Sequence, residues 1–144
     1  MLRVVISLFT IALATSLLSA TALAHARFAS SSIAPGTNFA DSPQTLSVTF
    51  TEELAAGSTG RVTNFRGVAT FGSGTVDPNE RKQMVFTIPS TLAPGYYMVW
   101  WHSISAEDGD VLEQWFWFGV QTDRAAPTKV WQYDPVADSP EGGD

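Results

Sequence analysis

The sequence predicts an all-β protein: an immunoglobulin-like β-sandwich of about seven strands, following an N-terminal signal peptide. Three observations carry this reading. Short runs of alternating apolar and polar residues recur along the chain, proline and glycine break them at close intervals, and no window shows sustained helical periodicity with caps. The sequence has 144 residues, which is the size of one small domain.

Taken in order, the first element is an export signal over residues 1–24. Met1-Leu2-Arg3 supplies one positive charge, Val4 to Ala14 is an apolar stretch, and no formal charge follows until Arg27. Ala22-Leu23-Ala24 fits the small-x-small pattern and predicts cleavage after Ala24, with His25 as the new N-terminus. Ala20-Thr21-Ala22 and Ala24-His25-Ala26 are competing sites that would start the chain at Leu23 or Arg27. An uncleaved anchor is the alternative, since the uncharged stretch nearly reaches the ~20 residues that span a bilayer. Its Ser and Thr content and its small-residue end favour removal.

The sandwich is expected over residues 25–121. Leu46, Val48 and Phe50 alternate with Ser47, Thr49 and Thr51, giving one apolar and one polar face. Arg61 to Phe65 and Val68 to Phe71 read as shorter strands between glycine breaks at 57, 60, 67, 72 and 74. Met84, Phe86 and Ile88 form another alternating run that Pro89 stops. Tyr96 to Ile104 and Leu112 to Val120 are the longest and most aromatic strands. Residues 122–144, rich in acids and proline, read as a flexible acidic tail in which Trp131 and Tyr133 are the only large anchors.

Composition removes several function classes. With no cysteine there is no disulfide framework, thiolate zinc site or iron–sulfur cluster. The chain carries 8 Lys+Arg against 14 Asp+Glu, a net charge of −6, with no basic run, so nucleic acid is not an expected partner. Removing Arg3 with the signal leaves a more acidic mature chain. Neither a Ser–His–Asp set nor a Cys–His pair is apparent, so no enzyme activity is expected.

Five segments in order carry a family resemblance. His25-Ala26-Arg27-Phe28 with Ala34-Pro35-Gly36, Ser42-Pro43-Gln44, and Leu46 to Glu52 are the first three. Leu92 to Trp101 and the pair Ser105 to Asp110 and Phe116 to Val120 complete the series. Together they resemble the CopC family of periplasmic copper-binding proteins, across about residues 25 to 120. The resemblance implies the sandwich fold, a periplasmic location, Cu(II) as the bound ion and a CopD-like inner-membrane copper transporter as partner.

It also implies a site. An N-terminal histidine can chelate through its α-amine and its own imidazole, which carries over onto His25. The family's Asp-Gly-His loop matches Asp108-Gly109-Asp110, so Asp108 is the expected carboxylate ligand and Asp110 stands where a second histidine is usual. Carboxylate is a harder ligand than imidazole and suits copper less well. On the residues alone, His25 is an ordinary exposed histidine and Asp108-Gly109-Asp110 an ordinary solvated turn. Glu107 is a possible substitute ligand in the same loop. The methionine-rich Cu(I) segment of the family has no counterpart, because Met84 and Met98 fall in separate strands.

Alternation settles the remaining aromatic residues. If Tyr97, Val99 and Trp101 face the core, as the resemblance implies, then Tyr96, Met98, Trp100 and His102 face outward, and so do Trp115 and Trp117. His102 is then a surface residue and not a replacement ligand. The outward tryptophans predict an apolar patch, used by a partner or covered by the tail. Gln114 stands at a position the family often fills with glycine. Two functions follow: an exported Cu(II)-binding protein for tolerance, homeostasis or delivery, or a CopC-like sandwich with weakened or lost metal binding that acts as an interaction module through its aromatic face.

Overall fold

A computed structural model describes residues 25–133 of the chain. Every regular element in it is a strand: β1 (Phe28–Ser31), β2 (Asn38–Phe39), β3 (Thr45–Phe50), β4 (Thr59–Asn64), β5 (Thr70–Val76), β6 (Gln83–Thr87), β7 (Gly95–Ile104), β8 (Val111–Val120) and β9 (Trp131–Tyr133). The strands form one curled sheet in the order β1-β3-β6-β5-β4-β7-β8-β2, with β9 also on β8. All pairings are antiparallel except β2 with β8. The curl brings β1 and β3 over β7 and β8, as the ring contacts show. Phe28 and Phe50 lie 5.9 and 5.8 Å from Trp101, and Phe28 lies 6.2 Å from Phe116.

The alternation expected in the long strands is present. Tyr97, Val99, Trp101 and Ser103 are buried while Tyr96, Met98, Trp100 and His102 are half-buried on the other face. In β8 the buried set is Leu112, Gln114, Phe116 and Phe118, leaving Trp115 and Trp117 outward. Trp101 sits at the centre among Phe28, Phe50 and Phe116, and each such ring pair contributes about 0.5–1.5 kcal/mol beyond area burial. Its indole N–H has no acceptor among the described residues, a desolvation cost that the packing offsets.

Two expectations change. The strand expected at Val68 to Phe71 starts two residues later, at Thr70, with Val68 exposed, and β5 runs on through Gly72 and Gly74 to Val76. These glycines do not break the strand; they make room in it. A Cβ on Gly60 or Gly74 would come within 2.5 or 2.7 Å of the Phe86 ring, and one on Gly72 within 2.5 Å of the Thr87 carbonyl. Phe86, fully buried, therefore lies over a paired Gly60–Gly74 step.

The second change concerns the expected flexible tail. Residues 122–133 return along the sheet, and β9 pairs with Glu113, Gln114 and Trp115 of β8. Ala126 is buried and Val130 packs on the core, so this segment has apolar anchors that its acidic, proline-rich composition hides. Together β2 and β9 cover both ends of the outer edge of β8, which would otherwise present unpaired backbone groups. The expected export signal at 1–24 and the acidic residues 134–144 lie outside the described residues.

Candidate metal centre

The loop between β7 and β8 is a closed turn. Ser105 N–H donates to Asp110 O at 2.9 Å, and Gly109 N–H to Ser105 O at 3.0 Å. Gly109 has φ +78°, a left-handed conformation that side chains rarely adopt, so the reversal needs glycine there. Asp108 Oδ1 accepts from the Asp110 N–H at 3.0 Å, which is how an aspartate stabilises a turn two residues on. Glu107 is exposed, with its N–H donating to Ser105 Oγ at 3.3 Å.

The N-terminal segment is tied down beside this loop at every residue from 25 to 28. Thr51 Oγ1 donates to His25 O at 3.1 Å and accepts from Arg27 N–H at 3.1 Å. Ser103 Oγ, buried, lies 2.9 Å from Ala26 O and 3.0 Å from Leu112 O. Phe28 N–H donates to Gln114 Oε1 at 2.8 Å across the sandwich. These anchors come from the residue after β3 and from β7 and β8, so the position of residue 25 is set by the fold and not by local sequence.

The result is that His25 Nδ1 stands 3.7 Å from Asp110 Oδ2, with the histidine side chain 12% and the aspartate side chain 29% exposed. Two donors each about 2.0–2.2 Å from one first-row ion lie at most ~4.4 Å apart, so this separation permits both to ligate the same ion. Nδ1 is also the imidazole atom nearest the backbone, hence the one able to close a chelate with the α-amine of the same residue. The donor set thus fits a first-row ion as far as His25 and Asp110 go. Among the described residues no group of three His, Cys, Asp or Glu side chains converges as a ligand set.

The other expected positions resolve as follows. Asp108 is in the same loop, exposed, with one oxygen engaged by the loop backbone. His102 is on the outer face, where its Nδ1 lies 3.4 Å from Glu113 Oε1. Met84 is buried in the core and Met98 lies on the outer face, so the two thioethers do not meet. Gln114 has a function that residue-by-residue reading did not give it. It is 5% exposed and holds Phe28 in place, and its amide reaches Gln132 of β9 at 3.5 Å. The signal was a lone polar residue in the inward series Leu112, Gln114, Phe116, Phe118.

The fold is a two-layer β-sandwich with an imidazole–carboxylate pair beside the loop of its longest hairpin. The chain belongs to the CopC family, whose domain model matches residues 28–121. Among solved structures, it is similar to CopC from Methylosinus trichosporium OB3b at 21% identity and TM-score 0.59, over 67% of this chain and 93% of that one. It is also similar to PcoC, a methionine-rich copper resistance protein from Escherichia coli, at 22% identity and TM-score 0.54, over 68% of this chain and 100% of that one. At these identities the likeness is one of fold. No curated protein matches the chain.

Proposed function

We propose that the mature chain is an exported, periplasmic copper-binding protein that chelates Cu(II) through His25, with Asp110 and Asp108 as carboxylate ligands, in copper tolerance, homeostasis or delivery. The observation that carries the reading is the 3.7 Å approach of His25 Nδ1 to Asp110, in a chain of the CopC family. Cleavage after Ala24 would free the α-amine of His25, giving an amine and an imidazole on one residue. With an unperturbed pKa of about 7.7–8.0 the amine needs only a modest driving force to lose its proton to a metal. Thr51, Ser103 and Gln114 fix the backbone beside it, so less ordering entropy is lost on chelation than in a free peptide. Asp110 would supply the anionic donor where an imidazole is usual, which favours weaker binding than the two-histidine site. A CopD-like inner-membrane transporter is the partner that family membership suggests.

The test is a Cu(II) titration with EPR on protein that begins at His25, beside protein that begins at Arg27 and a short His-Ala-Arg-Phe peptide. The reading expects the His25 protein to bind more tightly than the peptide and the Arg27 protein to bind more weakly than both. Equal affinity of His25 protein and peptide would sink the copper reading. A second reading, an interaction module with weakened metal binding, draws support from the outward tryptophans of β7 and β8.

A further inference from the structure

The outer face of β4, β7, β8 and β9 has a chemistry unlike the rest of this acidic chain. The strand register aligns Arg61, Trp100, Trp115 and Trp131 in one cross-strand row, with Met98 and Trp117 paired beside it. The Arg61 guanidinium lies 4.4 Å from the Trp100 ring and Lys129 Nζ 4.2 Å from the Trp131 ring, while Trp117 and Trp131 meet edge to face at 5.9 Å.

The β4–β5 turn leans over the same face. A Cβ on Gly67 would touch Met98 Cε at 3.7 Å. Phe65 joins Tyr96, Trp117, Ala125 and Pro127 around an apolar depression of about 290 Å³. At the tip, Phe65 is 58% and Val68 79% exposed, the two most exposed large hydrophobics among the described residues. Arg66 sits between them in sequence, 5.4 Å from the Phe65 ring. Among the described residues, Arg61, Arg66 and Lys129 have no ion-pair partner.

We propose that this face docks on an anionic lipid bilayer, with Phe65 and Val68 entering the interface and Arg61, Arg66 and Lys129 facing the headgroups. The inference names the partner of the aromatic face, so it deepens the interaction reading above and is independent of copper. Tryptophan and tyrosine favour the headgroup layer, and unpaired arginine and lysine favour anionic lipid. Glu113 is the acid of β8 that shares this face, and it lies against His102 at 3.4 Å. Acids on the opposite layer lie about 10 Å away, near the Debye length at 0.1 M salt, so their fields are largely screened and the net charge of −6 does not oppose docking. An acidic polypeptide would match the cations but leave the projecting Phe65 and Val68 in water, whereas a bilayer interface takes both.

The experiment is co-sedimentation of metal-free protein beginning at His25 with vesicles of phosphatidylcholine, with and without phosphatidylglycerol, following tryptophan emission. Binding to the phosphatidylglycerol vesicles, a blue shift and release by salt are expected. R66Q and K129Q should each weaken partitioning about fivefold, and Phe65→Ser with Val68→Ser should abolish the blue shift, with circular dichroism unchanged in all variants. No sedimentation with either vesicle, or equal sedimentation with both, overturns the proposal. So does self-association that buries the same tryptophans, or binding that appears only when Asp134, Asp138, Glu141 and Asp144 are neutralised, since the chain's own acidic end would then be the occupant. Soluble polyglutamate separates the two levels. If it shifts the emission and vesicles do not, the face is an interaction surface but not for a bilayer; if neither does, both readings fall.

Discussion

Replacing Gln114 with leucine tests the idea that a buried amide in β8 positions the N-terminal histidine. Leucine keeps most of the side-chain volume, so the cavity term is small and the loss is polar. The Phe28 N–H, now 2.8 Å from Gln114 Oε1, would be left half-buried without an acceptor, because Phe28 opens β1 and the β1–β3 ladder satisfies its neighbours instead. An orphaned donor of this kind costs about 1–3 kcal/mol. The contact to Gln132 at 3.5 Å is at the limit of a hydrogen bond and adds little. With a urea m-value of about 1–3 kcal/mol/M, the unfolding midpoint should fall by about 1 M at unchanged m. Phe28 is also close in sequence to His25, so the same loss loosens His25 against Asp110. Cu(II) affinity of protein beginning at His25 should drop by up to about tenfold, the factor that 1.4 kcal/mol represents. Gln132→Ala is the control and should move neither quantity measurably. An unchanged midpoint for Gln114→Leu, or an equal effect of Gln132→Ala, would refute the tether.

Three further outcomes are expected. Asp110→His, which places a second imidazole where a carboxylate oxygen now lies 3.7 Å from His25 Nδ1, should tighten Cu(II) binding and add nitrogen hyperfine structure to the EPR spectrum; unchanged affinity would mean that residue 110 is not a ligand. Gly60→Ala should destabilise by about 1–3 kcal/mol in urea unfolding, because its Cβ would meet the buried Phe86 ring at 2.5 Å, and Phe86→Leu in the same chain should recover part of that loss. Burial pushes the Tyr97 phenol above its usual 10.0, and its hydroxyl donates to Ala93 O at 2.7 Å. The folded state then holds that proton longer than the unfolded chain, so its contribution is intact below pH 10 and stability falls as pH rises above it; absorbance titration should show one tyrosine ionising above the usual range, and Tyr97→Phe should remove that step.

The long strands were legible because a half-buried strand must alternate, and β7 and β8 alternate over ten residues each. The short ones were not. β2 has two residues and β9 three, too few to show a period, and both exist only because the edge of β8 is there to pair with. Glycines 60, 72 and 74 misled for a related reason. Glycine marks a turn when the backbone reverses, but it serves equally where a ring from another strand must lie flat on the backbone, and sequence does not distinguish the two.

By itself the sequence determined the all-β class and the alternation of its long strands, which follow from local rules: strand periodicity and turn chemistry. The inward facing of Trp101, and His25 with the nearby carboxylates as metal candidates, came from the resemblance to the CopC family. Only the tertiary structure decided that Asp110 stands beside His25, that Gln114 reaches 86 residues back to hold Phe28, and that Arg61, Trp100, Trp115 and Trp131 line up in one row. Each of these depends on strand register and on how far the sheet curls. Those are set by the sum of many side-chain contacts across the core, and no short stretch of sequence carries that sum.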